Sequence, residues 1–197
     1  MTAKEQYEES ERLARAAERN GGPLPVALLQ EAADAGFAPA VYALANWHLH
    51  GKGVRKDLKR AVILLQRAAE QRHPAAEYDL AVSYELGKGG LPKDPKAALL
   101  WYRRAANDGD LDAMTEVARF YYHGLATNPN LPKAFAWYSK AAAKGDSEAQ
   151  YALGRAYEFG EGVDQNFAKA TRWYEKAAAQ GDERATQALA DLSEKCG

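Results

Sequence analysis

Small and apolar residues return along this chain at i, i+4, i+5 and i+8, the spacing of one stripe on a helix. The stripe occurs as Ala40/Leu44/Ala45/His48, Ala76/Leu80/Ala81/Tyr84, Ala113/Val117/Ala118/Tyr121 and Ala149/Leu153/Gly154/Tyr157, each predicting a helix with one buried face. A second helix is predicted after each, with an aligned alanine (Ala61, Ala98, Ala134, Ala170) and then a bulky doublet. The doublets are Leu64-Leu65, Trp101-Tyr102, Trp137-Tyr138 and Trp173-Tyr174. Because they recur in one slot, they predict core packing instead of stacking platforms for bases or sugars. The third stripe residue, Ala45, Ala81, Ala118 or Gly154, is small enough for the second helix to approach closely.

The register is nearly constant. Ala-Ala pairs fall at 32/33, 68/69, 105/106, 141/142 and 177/178, in steps of 36, 37, 36 and 36. Self-similarity at such a period marks a repeat array, in which chain length counts units. The extra residue of the third unit lies between Gly87 and Asp94, where a loop absorbs it. The expected organisation is all-α: a single solenoid domain over 1–197, built from stacked antiparallel helix pairs. It divides into a degenerate first repeat at 1–37, repeats at 38–73, 74–110, 111–146 and 147–182, and a polar capping helix at 183–197.

Stop and start signals agree. Gly51, Gly87, Gly124 and Gly160 close the first helices, and Asp57, Asp94, Asn130 and Asn166 are N-caps for the second. Gly36, Gly109, Gly145 and Gly181 end the second helices, and after the last three Asp110, Asp146 and Asp182 cap the next helix. Arg72-His73-Pro74 departs from that rule, so Arg72 must strain or re-route the turn while Pro74 begins a helix. At the two ends, Leu13, Ala14, Ala16 and Ala17 are expected on the apolar face of a helix over 3–19, and Ala185, Leu189 and Ala190 on that of the last.

Composition narrows the function. Net charge is −1, which gives no general attraction to nucleic acid or to an anionic membrane. No apolar run approaches the roughly 18 residues of a membrane helix. Cys196 is the single cysteine, so no intramolecular disulfide forms, and the charged N-terminus does not resemble a signal peptide. The cytoplasm is the expected compartment; the periplasm fits a chain whose leader has been removed. No catalytic residue, metal site or cofactor is expected. His48 and His50 lie on different faces of one helix, His73 and His123 stand at helix ends, and Gly87-Lys88-Gly89-Gly90 comes after a helix, unlike a phosphate loop.

The segment Ala149 to Asp182, A-Q-Y-A-L-G-R-A-Y-E-F-G-E-G-V-D-Q-N-F-A-K-A-T-R-W-Y-E-K-A-A-A-Q-G-D, closely resembles the Sel-one-like repeat family, relatives of tetratricopeptide repeats. The resemblance covers about residue 24 to 197. His48 in place of tyrosine, Leu64-Leu65 in place of Trp-Tyr, and Leu125-Ala126-Thr127 depart from it. It implies a right-handed α/α superhelical solenoid and a non-catalytic adaptor that binds a protein or peptide on a concave surface, often in bacterial signalling, secretion or envelope settings. Some cysteine-rich relatives act on or bind β-lactams, but this chain lacks their disulfide frame.

Slots filled alike serve the fold, whereas solvent-facing slots that vary are free to serve a partner. If the first helices line the concave wall, Tyr42, Tyr78 and Tyr151 are mostly packing residues. The variable slots give the expected partner-binding set: Asn46, His50, Arg119, Tyr122, His123, Arg155, Glu158 and Phe159. The expected partner is a helix or extended peptide held by apolar contact and by charge matching with Arg119 and Arg155, on a chain that can act as a monomer. The alternatives are an immunity or inhibitor protein capping a cognate enzyme, and a β-lactam-hydrolysing or ligand-binding relative.

Overall fold

The computed structural model describes residues 1–196; the side chains of Lys195 and Cys196, and Gly197 altogether, lie outside the described residues. Among the described residues there are eleven helices and no strand: α1 (Ala3–Asn20), α2 (Val26–Asp34), α3 (Ala38–His50), α4 (Leu58–Glu70), α5 (Pro74–Leu86), α6 (Pro95–Asn107), α7 (Leu111–His123), α8 (Leu131–Ala143), α9 (Ser147–Phe159), α10 (Phe167–Ala178) and α11 (Glu183–Cys196). They form two compact units, Met1–Ala105 and Ala106–Gly197, where the sequence predicts one continuous array.

In the first unit, helices α1 to α5 pack each against the next. Leu29, Leu44, Leu65 and Leu80 are fully buried there, and the aligned alanines Ala33, Ala40, Ala69 and Ala76 fill the gaps between them. Helix α6 joins through Tyr102, whose ring meets Tyr78 edge-on at 5.4 Å. The second unit repeats the plan from α7 to α11. There Gly154 is required by packing, because a Cβ at that position would strike the ring of Tyr174.

The caps form as the signals predict. Asp57, Asn130 and Asn166 accept the backbone N–H groups of Arg60, Lys133 and Lys169 at 2.9, 3.0 and 2.9 Å. At the irregular junction Arg72 takes the strained route, with φ of 64°, the only left-handed residue other than glycine among the described residues. His73 replaces the usual aspartate, its Nδ1 accepting the N–H of Ala76 at 3.3 Å. The half-buried tryptophans of the doublets are covered by the cation three residues on: Arg104 over Trp101 at 4.5 Å, Lys140 over Trp137 at 3.9 Å and Lys176 over Trp173 at 4.1 Å.

Two end assignments change. Helix α1 buries Ser10 and Ala14 and rests Tyr7 on Phe37, leaving Leu13 exposed, because the inner face runs through positions 7, 10 and 14. In α11 Ala190 is exposed and Leu192 is the buried residue, seven positions after Ala185 on the same stripe.

Candidate protein-binding site

Two slots of each repeat face one another, one near the end of the first helix and one in the doublet of the second. In 38–73 they hold Leu49 and Leu65, an apolar pair. In 74–110 they hold Glu85 and Tyr102, and the tyrosine hydroxyl donates to the carboxylate at 2.9 Å. In 147–182 Tyr174 donates to Glu158 at 2.8 Å, with both residues buried. Burial, then this bond, drives the Tyr174 phenol far above its ordinary pKa. The repeat 111–146 breaks the pairing, with Tyr122 opposite Tyr138.

Tyr122 turns to the loop after α9 instead. Its hydroxyl donates to Glu161 at 2.8 Å, and Arg155 Nη2 reaches both the Tyr122 hydroxyl and the Glu161 carboxylate at 3.4 Å. Glu161 is brought there by Gly162, which has φ of 77° and presses so close to the Leu131 carbonyl that a Cβ would collide with it. Tyr138 is left without a hydrogen bond among the described residues. Its burial, aided by the charge of Glu148, pushes its pKa up to about 12.

The result is a cavity of about 240 Å³ in the second unit. Helix α7 contributes Arg119, Tyr122 and His123; α8 contributes Leu131, Phe135 and Tyr138; α9 contributes Glu148, Tyr151 and Arg155; Arg184 of α11 closes one side. Its arginines are matched by nearby carboxylates. Arg119 donates through Nε to Glu116 at 2.7 Å, and Arg184 grips Asp182 through two nitrogens at 3.1 and 2.7 Å while lying 4.6 Å over the Tyr151 ring.

Four of the residues expected from the sequence, Arg119, Tyr122, His123 and Arg155, therefore line one cavity. Phe159 is 56% exposed, with the Arg155 guanidinium 5.8 Å from its ring. Asn46 and His50 lie in the other unit, where His50 Nδ1 is 2.9 Å from the Asn46 carbonyl oxygen. Glu158 is corrected: it is buried between α9 and α10 and holds Tyr174, because a glutamate facing a tyrosine from a packed helix has a partner within the fold. Tyr138, Glu148, Tyr151, Glu161 and Arg184 were absent from the expected set. The covariation of the facing slots, Leu with Leu and Glu with Tyr, is the signal that singles out Tyr122 and Tyr138.

Among the described residues no cluster of His, Cys, Asp or Glu is arranged to hold a metal ion, and no helix is long and apolar enough to cross a membrane.

Fold and site together define a helical-hairpin repeat protein with a small, polar-rimmed surface cavity. The Sel1 repeat model matches residues 38–73, 74–110, 111–146 and 147–182, and the chain belongs to the Sel1 repeat family. It is 36% identical over 103 residues to the chitin synthase regulator SKT5 of Saccharomyces cerevisiae, covering 49% of this chain and 15% of that protein. The crystal structure of a Sel1 repeat protein from Oxalobacter formigenes is similar at 37% identity and a TM-score of 0.78, covering 85% of this chain and 48% of that one. The immunity protein Pa5087 of Pseudomonas aeruginosa is similar at 27% identity and a TM-score of 0.51, covering 93% and 67%. The chain thus spans only a small part of the curated regulator that it matches.

Proposed function

We propose that this chain is a non-catalytic scaffold that holds a partner protein or peptide, with the cavity between α7, α8 and α9 as its anchor point. The observation that carries the reading is the replacement of one repeat's packing pair by Tyr122 and Tyr138, both of which line the cavity, where two other repeats hold a hydrogen-bonded tyrosine and glutamate. At about 240 Å³ it is smaller than the roughly 300–1,000 Å³ of pockets that enclose small molecules, so one side chain of a larger partner suits it better than a substrate. The family's regulators and adaptors support the same reading. Arginines already matched by carboxylates argue against a nucleic-acid partner. The proposed compartment is the cytoplasm, since a chain with one cysteine needs no oxidising surroundings.

The likeness to Pa5087 favours a narrower second reading, an inhibitor that caps one enzyme through this same surface. Affinity capture from the native cell, with wild type beside the cavity-filling variant Ala152→Phe, tests the proposal. Partners held by wild type and lost by a variant of unchanged melting temperature support it. The same partners on both proteins contradict the cavity's role. One partner held at subnanomolar affinity would favour the inhibitor.

A further inference from the structure

We infer that the cavity in the second unit receives a lysine side chain of the partner; this rests on the scaffold reading and specifies the chemistry of its anchor. Charge is the first argument. The wall carries three guanidinium groups, Arg119, Arg155 and Arg184, and two carboxylates, Glu148 and Glu161; Glu116 and Asp182, outside the lining but paired with Arg119 and Arg184, bring the group to one negative charge in excess. Three of those carboxylates are each in an ion pair with one of the arginines. Glu148 is the carboxylate that no hydrogen bond or ion pair engages among the described residues, and it stands on the cavity wall. A single cation brings the site to neutrality, whereas a carboxylate would enter against that excess.

The walls supply the second argument. Phe135 and Tyr138 present aromatic rings, Tyr151 presents a ring already covered by Arg184 at 4.6 Å, and Leu131, Ala134 and Ala152 present aliphatic surface. Such a lining suits a polymethylene stem, and ring faces attract an ammonium ion. The Tyr138 hydroxyl has no hydrogen-bond partner among the described residues and can accept from that ammonium, as can Glu148. At about 240 Å³ the space equals about eight water volumes of roughly 30 Å³, enough for one long side chain and some of its hydration. The three guanidinium groups are what would suit an acidic guest, and each is already paired with a carboxylate. Arg155 is already bound to Glu161, so an acidic guest would compete with a carboxylate held in place.

The test is titration of the isotope-labelled full chain with three short blocked peptides, alike except for a central lysine, norleucine or glutamate, monitored by amide NMR shifts. The expected result is saturable shifts at Tyr138, Glu148 and Ala152 with the lysine peptide, and affinity lowered roughly fivefold in Glu148→Gln. Glu148 is exposed and its replacement leaves packing intact. Stronger binding of the glutamate peptide, equal binding of norleucine and lysine, absence of saturable shifts with lysine, or unchanged affinity in Glu148→Gln would each overturn the inference. None of these outcomes bears on whether Ala152→Phe loses partners from the cell, so the scaffold reading stands or falls separately.

Discussion

Tyr174 donates its hydroxyl to Glu158 at 2.8 Å, the same bond that Tyr102 makes to Glu85 at 2.9 Å in another repeat. The repeat lying between those two in sequence lacks it, and the cavity occurs there. The bond is therefore one that the fold can include or replace: 38–73 has Leu49 and Leu65 in its place, and 111–146 has two tyrosines, both on the cavity wall.

Removing the acceptor should be costly. Glu158→Ala leaves a buried phenol hydroxyl without a partner and a void beside it, so a loss of about 2 kcal/mol or more is expected in urea unfolding. Glu158→Gln keeps an acceptor and should lose clearly less. Equal losses in the two variants would mean that the hydrogen bond contributes nothing.

Gly154→Ala sets two effects against each other. Alanine gains about 1 kcal/mol of helix propensity over glycine, but its methyl would meet the Tyr174 ring, and such overpacking costs about 1–3 kcal/mol. The clash should win, giving a lower melting temperature, with recovery when Tyr174→Leu is added. A rise in melting temperature for the single variant would contradict the close approach of α9 and α10.

The fully buried Glu77 meets the Arg104 Nε at 3.2 Å and the Arg72 Nε at 4.0 Å. Losing one partner of a buried pair costs about 3–5 kcal/mol, and partial exposure of Arg104 together with the nearby Arg72 should reduce this to about 2 kcal/mol for Arg104→Met. Chemical denaturation measures the loss. Adding Glu77→Met should restore much of the stability, and failure to do so would mean that Arg104 acts through its packing on Trp101.

His73 gives a pH signature. Its Nδ1 caps α5 only while unprotonated, and burial holds its pKa below the ordinary 6.5. The folded chain therefore binds this proton less readily than the unfolded chain. The histidine's contribution is complete above about pH 6.5 and is lost as pH falls through the folded-state pKa. Between about pH 7.5 and about 5.5, wild type should lose stability relative to His73→Asn, which caps without titrating. Parallel pH profiles would contradict this role.

The fold was legible because packing is written redundantly. Ala33, Ala69, Ala106, Ala142 and Ala178 state one requirement five times, and the capping Asp57, Asn130 and Asn166 agree with it. The site was legible in part. Arg119, Tyr122, His123 and Arg155 stood out as side chains that break a slot, and they meet at the cavity. Glu158 varied too, but its variation tracks Tyr174 across the helix pair, which a slot read by itself does not reveal. Glu161 and Arg184 are positioned by a loop pressed on Leu131 and by an Asp182 fork, relationships of backbone path that periodicity does not encode. Leu13, expected to be buried, is exposed, and Leu192, outside the expected stripe, is buried, because the end helices do not repeat the full stripe that fixes the phase of the others.

The most direct measurement is partner capture by Tyr122→Glu combined with Glu161→Gln. The pair gives Tyr138 the acceptor that Tyr102 and Tyr174 have, while sparing the new carboxylate a like charge beside it. A folded variant with the cavity closed and its partners lost is the predicted result; a folded variant that captures the wild-type partners undiminished would contradict the claim that this one irregular repeat is where the chain binds.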